Sequence, residues 1–213
     1  MMPQGLIKVC GLTSVQQTLQ VVEAGVGAVG FNVWPRSVRS VSWELAAQMM
    51  QAVRGHVLGV VVMVDASLEE VQAVFEVINP DYVQLHGHET AHTVQKAGSK
   101  CYKAVGLAGQ EDVDVALHMP GEVVLVDAKN EVLRGGTGTQ APADCVAQVV
   151  ARRRTLLAGG LGVHNVAWAV EHFSPWGVDA ASLLESAPGQ KDIPLVKTFV
   201  QEASCAFQKV QHV

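Results

Sequence analysis

Basic charge is scarce in this sequence: 15 Lys and Arg stand against 20 Asp and Glu, for a formal net charge of −5. Nucleic-acid binders draw affinity from phosphate-neutralising Lys and Arg, so the balance argues against that class. The one basic run, Arg152-Arg153-Arg154, precedes an apolar stretch and reads as a solvated edge. Cysteine is sparse too. Cys10, Cys101, Cys145 and Cys205 are scattered, with no C-x-x-C pair and no metal-ligand spacing, which suits free thiols in a reducing cytoplasm. Long apolar runs are missing. Val57 to Val64 is strongly apolar, but a bilayer span needs about 20 residues, so this is a buried strand and no membrane association is expected. Met1-Met2-Pro3-Gln4-Gly5 has neither a charged n-region nor an apolar h-region, so no signal peptide is expected. No linker, low-complexity stretch or fixed-period repeat is visible. Nor is there a G-x-S-x-G elbow or a lysine in P-loop spacing, which argues against a serine hydrolase and a nucleoside triphosphate site.

What the chain does have is alternation. Short Val-rich runs recur between amphipathic stretches from end to end. Strands are expected at Leu6–Cys10, Ala28–Val33, Val57–Val64, Tyr82–Leu85, Cys101–Val105, Val123–Val126, Thr155–Ala158 and Gly177–Asp179. Helices are expected at Ser14–Ala24 (Val15, Leu19 and Val22 inward), Ser42–Val53, Ser67–Ile78, Glu89–Ala97, Asp112–Leu117, Ala143–Ala151, Val163–His172 and Asp192–Gln208. Several open on a Ser, Thr or Asp of the kind that caps a first turn. Near-continuous apolar strands are what a parallel sheet covered on both faces requires. Eight such β-then-α units in 213 residues point to one closed (β/α)8 TIM barrel over residues 1–213. The alternative is an open doubly wound sheet, which usually has fewer strands and a G-x-G-x-x-G opening that this chain lacks.

In a barrel the residues ending each strand share one mouth. Cys10 ends the first strand, Phe31 to Arg39 follow the second, and Gln84 to Gly87 close the fourth. Asp127 ends the sixth, Gly159-Gly160 follow the seventh, and Asp179 to Ser182 follow the eighth. Cys10 reads either as a buried structural thiol or as a ligand-facing one whose pKa the next helix's dipole lowers toward neutrality. Asp127 is either a cap for the next segment or a carboxyl in a partly dry mouth, where desolvation suits a general acid. Gly159-Gly160 is a tight turn or, with Ser182 beside it, a phosphate site of backbone N–H groups near a helix start. Arg134-Gly135-Gly136-Thr137-Gly138 is a lid or a long surface turn. His86 and His88 form an H-x-H pair without a third ligand, so packing or hydrogen bonding is expected there and no metal site. A thiolate and a carboxylic acid across one mouth suit proton movement on a sugar phosphate better than hydrolysis.

Matching segments run through nearly the whole chain: Ile7-Lys8-Val9-Cys10-Gly11-Leu12-Thr13, Gly30-Phe31 with Ser37 and Arg39, Val83-Gln84-Leu85-His86-Gly87, Val126-Asp127-Ala128, Gly135-Gly136-Thr137-Gly138, Leu157-Ala158-Gly159-Gly160-Leu161, Gly177-Val178-Asp179, and Glu185 followed by Pro188-Gly189-Gln190-Lys191-Asp192. In that order they are specific, and the chain resembles the phosphoribosylanthranilate isomerases of tryptophan biosynthesis. The resemblance implies an Amadori rearrangement with no metal or organic cofactor. It makes Asp127 the general acid and Cys10 the general base, with Arg39 on the anthranilate end and the Gly159-Gly160 and Ser182 loops on the phosphate. The expected substrate-binding set is Arg39, Gln84, His86, Gly136, Gly159, Gly160, Asp179 and Ser182. The expected partner is a small-molecule phosphosugar, with the protein a cytoplasmic monomer or homodimer.

This chain departs from the family pattern in places. Val38 replaces a proline before Arg39, and Thr139 to Asp144 lacks the aromatics usual after Gly-Gly-Thr-Gly. Asp179-Ala180-Ala181-Ser182-Leu183 stands where Ser-Ser-Gly normally follows the aspartate. A β-carbon at Leu183 is expected to weaken phosphate binding. Cys10 argues against a histidine-pathway isomerase, which uses a carboxylate at that position. The decarboxylating synthase of the tryptophan pathway would want lysine-based chemistry at the strand ends. A barrel that binds a phosphosugar without turnover is the reading from another class, opposed by intact Cys10 and Asp127.

Overall fold

Side chains alternate between two environments along each strand, and that alternation builds the molecule. The computed structural model describes residues 1–128 and 140–211. Strands β1 (Leu6–Cys10), β2 (Ala28–Asn32), β3 (Leu58–Met63), β4 (Tyr82–Leu85), β5 (Cys101–Leu107), β6 (Val124–Ala128), β7 (Thr155–Ala158) and β8 (Gly177–Ala180) form a closed barrel in sequence order. Each pairs in parallel with its neighbours, and β8 returns to β1 with Lys8 opposite Asp179. The barrel expected from the sequence is thus the observed fold.

Ile7, Val9, Val29, Phe31, Val61, Val83, Val126, Leu157 and Val178 belong to the large core between barrel and helices. Leu6, Ala28, Val60, Tyr82, Tyr102, Ala104, Leu125, Leu156 and Ala158 fill a second core inside the barrel. Both faces are dry, which is why the strands read as continuous apolar runs. Each fully buried Val or Leu contributes roughly 1.5–3 kcal/mol. Inside the barrel the β1 side chains climb from Leu6 through Lys8 to Cys10, so a lysine sits between an apolar floor and the mouth.

Helices α1 (Val15–Glu23), α2 (Trp43–Val53), α3 (Leu68–Val77), α4 (Ala91–Ala97), α5 (Gln110–His118), α6 (Gln140–Val150), α7 (Val166–Phe173) and α8 (Ile193–Gln211) surround the strands. The Ser14, Ser42, Ser67 and Thr90 side chains each accept a first-turn backbone N–H, worth about 1 kcal/mol apiece. In α1 the inward face differs from the expected one. Thr18 and Val21 are buried, Val15 and Val22 are partly so, and Leu19 is 41% exposed. Thr18 goes inside because its hydroxyl donates to the Ser14 carbonyl at 2.8 Å, which hides its polarity. A short hairpin after β8, β9 (Glu185–Ala187) with β10 (Gln190–Lys191), was not foreseen. Among the described residues no helix is long and apolar enough to cross a membrane.

Candidate active site

Cys10, Arg39, Gln84, His86, Asp127, Gly159, Gly160, Asp179 and Ser182 all line one cavity of about 250 Å³ at the strand ends. The sequence-predicted site is therefore brought together, apart from Gly136, which lies outside the described residues with the rest of the Gly135 to Gly138 loop. A larger, shallower depression of about 620 Å³ opens at the strand-start end against Asp81, Tyr82, Lys100 and Glu122. It gathers none of the strand-end side chains.

Cys10 points into the barrel opposite Gly30. A β-carbon on Gly30 would lie 2.6 Å from the sulfur, so glycine there makes room for the thiol. Burial pushes the Cys10 thiol up, against Lys8 and Lys191, which favour the thiolate, while Asp179 adds to the rise. The lowering expected from a helix dipole is not what dominates. Helix α1 begins only at Val15, and the Ser14 hydroxyl already takes the Gln17 N–H. The dipole acts within one turn of a helix end, and desolvation acts at the sulfur itself.

Beneath Cys10 lies a network that sequence reasoning missed. Lys8 is fully buried and donates to Asp179 Oδ2 at 2.8 Å and Gln84 Oε1 at 3.1 Å. The Tyr102 hydroxyl donates to the same Gln84 oxygen at 2.9 Å. On its other side the Gln84 amide nitrogen lies 2.9 Å from His86 Nδ1, and His86 Nε2 lies 4.0 Å from Asp127 Oδ2. Burial alone would strip the charge from Lys8, but Asp179 beside it wins and holds the ammonium protonated above its usual range. Oδ1 of Asp179 is buried without a hydrogen-bond partner. The signal for Lys8 was present in the sequence: a charged residue inside an apolar strand, two positions before Cys10 and so on the same face. His88, the other member of the H-x-H pair, is exposed and bonded to Asp65 instead. Among the described residues no group of three His, Cys, Asp or Glu side chains is placed to hold a metal ion.

Arg39 reaches the mouth along Gly11, where a β-carbon would meet its Cδ at 2.5 Å. Its Nε and Nη2 grip Glu185 at 2.7 and 2.6 Å, and Lys191 takes the same carboxylate at 2.6 Å and the Ala181 carbonyl at 3.0 Å. The unforeseen hairpin thus delivers both partners of this cluster. Burial alone would raise the Glu185 carboxyl, but the two cations hold it below the usual carboxylate range.

The loop after β7 requires glycine on two counts. Gly159 and Gly160 have φ of +94° and +74°, and a β-carbon on Gly159 would strike the Ala128 carbonyl and the Asp127 carboxylate. Helix α7 starts three residues later than expected, because Asn165 ties the intervening turn. Its Oδ1 accepts from the Gly162 N–H at 2.8 Å, and its Nδ2 donates to the Gly160 carbonyl at 2.9 Å. Opposite, Ser182 and Leu183 lie exposed in a 3-10 turn (Ser182–Leu184). A β-carbon on Gly162 would sit 3.0 Å from Leu183 Cβ, so the leucine packs on the glycine loop.

Comparison with known proteins points one way. The family model for N-(5'-phosphoribosyl)anthranilate (PRA) isomerase matches residues 7–202. The chain is 38% identical over 201 residues to the N-(5'-phosphoribosyl)anthranilate isomerase of Rubrobacter xylanophilus, covering 92% of this chain and 98% of that protein. It superposes on phosphoribosyl anthranilate isomerase from Thermotoga maritima with a TM-score of 0.82 at 30% identity, covering 94% of this chain and 98% of the other. A phosphoribosyl anthranilate isomerase in complex with reduced 1-(o-carboxyphenylamino)-1-deoxyribulose 5-phosphate superposes with a TM-score of 0.81 at 30% identity over the same shares. With its sequence matching over almost the full length of both chains and its barrel superposing on theirs, the chain belongs to the N-(5'-phosphoribosyl)anthranilate isomerase family.

Proposed function

We infer that this chain performs the family's intramolecular aldose–ketose isomerisation in tryptophan biosynthesis, with Asp127 as general acid and Cys10 as general base. The substrate is N-(5'-phosphoribosyl)anthranilate and the product 1-(2-carboxyphenylamino)-1-deoxyribulose 5-phosphate. The observation that carries the assignment is the placement of a strand-end thiol and a strand-end carboxyl on one small cavity, beside a glycine loop.

Asp127 gives its proton to the furanose ring oxygen as the bond from C1 to that oxygen breaks. The anthranilate nitrogen's lone pair then forms the C=N bond of a protonated Schiff base. The Cys10 thiolate, which Lys8 and Lys191 favour against burial, removes the proton from C2. The electrons of that C–H bond flow toward nitrogen and give an enolamine, which tautomerises to the ketone. The rearrangement is internal and redox-neutral, so acid and base groups suffice for its steps. Arg39, already anchored by Glu185, keeps its remaining amino group for the anthranilate carboxylate. Asp179, on the cavity wall, holds the Lys8 ammonium beneath Cys10 and borders the sugar. Gln84 and His86 border the sugar, and Gly159, Gly160 and Ser182 take the phosphate. Gly136, outside the described residues, is assigned to substrate binding on sequence alone. The protein acts in the cytoplasm on this small phosphosugar, as a monomer or a homodimer.

The test follows the fluorescence decay of freshly generated phosphoribosylanthranilate with wild type, Cys10→Ala and Asp127→Ala. Rapid decay with wild type is expected, with kcat reduced by at least about 10²- to 10⁴-fold in each variant. A folded wild type that binds a reduced product analogue but leaves the fluorescence unchanged would make the chain a binding protein without turnover.

A further inference from the structure

We propose that Lys8 and Tyr102 are positioning residues that lock the Gln84 amide and, through it, hold His86 as the neutral Nε2–H tautomer, a hydrogen-bond donor toward Asp127. The catalytic consequence rests on reading Asp127 as the acid; the tautomer itself does not.

Donors and acceptors fix the orientation of the Gln84 amide. An ammonium has only donors. Lys8 Nζ lies 3.1 Å from Gln84 Oε1, so turning the amide over would set an NH2 group against the ammonium inside a dry barrel. The Tyr102 hydroxyl reinforces the same choice, donating to that oxygen at 2.9 Å. With the oxygen committed inward, the amide NH2 must face the mouth, where it lies 2.9 Å from His86 Nδ1. An amide NH2 donates and does not accept, so Nδ1 must offer its lone pair. A neutral imidazole with a bare Nδ1 carries its proton on Nε2, and Nε2 is the atom facing Asp127 Oδ2 at 4.0 Å.

The same geometry resists the imidazolium. Protonating Nδ1 would aim an N–H at the amide NH2. Partial burial of the ring, whose side chain stays 40% exposed, works in the same direction, as do Lys8 on β1 and Lys103 on β5, while Asp127 on β6 and Asp179 on β8 pull against it. The balance moves the imidazole's pKa below its ordinary value.

The tautomer decides what His86 does to the acid. A bare Nε2 would accept the Asp127 proton and keep it from the sugar ring oxygen. An Nε2–H leaves that proton free to transfer, then stabilises the carboxylate left behind. Hydrogen bonds of this kind are often long before substrate binds and tighten in the complex. Four strands therefore set one proton's position: β1 through Lys8, β4 through Gln84, β5 through Tyr102 and β6 through Asp127.

The test is 15N NMR of the histidine rings in substrate-free protein, with His86 assigned by the resonances lost in His86→Asn. The expected wild-type spectrum shows a pyridine-like Nδ1 and a pyrrole-like Nε2 for His86, persisting as the pH is lowered through the usual imidazole range. In Gln84→Glu a carboxylate faces the ring and the pattern inverts, with a proton on Nδ1. In that variant kcat falls by about tenfold or more. In Gln84→Met nothing selects a tautomer and both appear. A proton on Nδ1 in the wild type overturns the proposal, as does an unchanged His86 pattern in either variant. The spectra need no turnover, so this idea and the isomerase reading fail separately.

Discussion

The barrel interior and the β7–β8 rim solve the problem of holding polar groups in opposite ways. In the interior, side chain answers side chain: Lys8, Asp179, Gln84, Tyr102 and His86 are joined by contacts of 2.8–3.1 Å. At the rim the backbone does the holding, with Gly159 and Gly160 at positive φ and Asn165 tying the turn. The interior partners are distant in sequence, 171 residues apart for Lys8 and Asp179, whereas Asn165 reaches only 5 residues back to Gly160. A network fixed by packing on every side is rigid and intolerant. A loop built of backbone donors is adaptable, and its affinity is tuned by whatever covers it.

The largest break expected is therefore in the interior. Lys8→Met leaves Asp179 as a buried charge without its counter-ion, a loss of about 3–5 kcal/mol of stability. Urea unfolding measures it, and the double variant Lys8→Met/Asp179→Leu should lose clearly less than the two single losses added together. Strictly additive losses would mean that the pair does not hold the barrel together. No comparable loss is expected from any single side chain exposed on the rim.

The second effect is on pH dependence, and its sign follows from the Cys10 thiol, held above its ordinary range by burial. In the proposed mechanism the productive enzyme has one proton on the pair, on Asp127, with Cys10 as thiolate. The form with that proton on sulfur has the same net charge, so pH does not interconvert the two. Consequently kcat/KM stays level through the neutral range, and on its alkaline side it falls when the pair loses its last proton, as pH rises past the raised thiol value. Lys8 favours the thiolate, so Lys8→Met moves this alkaline fall to still higher pH and lowers the neutral plateau. A fall at or below the ordinary thiol range in the wild type would sink the assignment.

The contrast also explains what could be read in advance. The barrel was legible because two dry faces impose a composition on every strand, and Cys10, Asp127 and Gly159-Gly160 were legible because strand ends in a barrel converge. Tyr102, Glu185 and Lys191 were not, and of Lys8 only the anomaly of a charge in an apolar strand was visible, since each owes its role to a partner supplied by register or by the hairpin after β8. The direction of the Cys10 shift was misjudged for a related reason. A helix dipole can be guessed from local sequence, while burial under eight strands cannot. The rotation of α1 failed on Thr18, whose hydroxyl finds a local acceptor and lets a polar residue face the core.

The smallest expected effect lies on the rim, at Leu183. Its side chain packs on Gly162 at the edge of the loop proposed to take the phosphate. Its backbone is not among the positive-φ positions, so nothing there is strained and glycine offers no conformational relief. Any gain from Leu183→Gly must come from uncovering the loop. We expect KM to fall by a few-fold with kcat unchanged, the signature of better ground-state binding. Stability should drop by about 0.5–1 kcal/mol from the added freedom of the unfolded chain. An unchanged or higher KM would show that the leucine does not obstruct the phosphate. The rim would then have accommodated the side chain by moving, which the interior, with Lys8 wired to two strands at once, has no means to do.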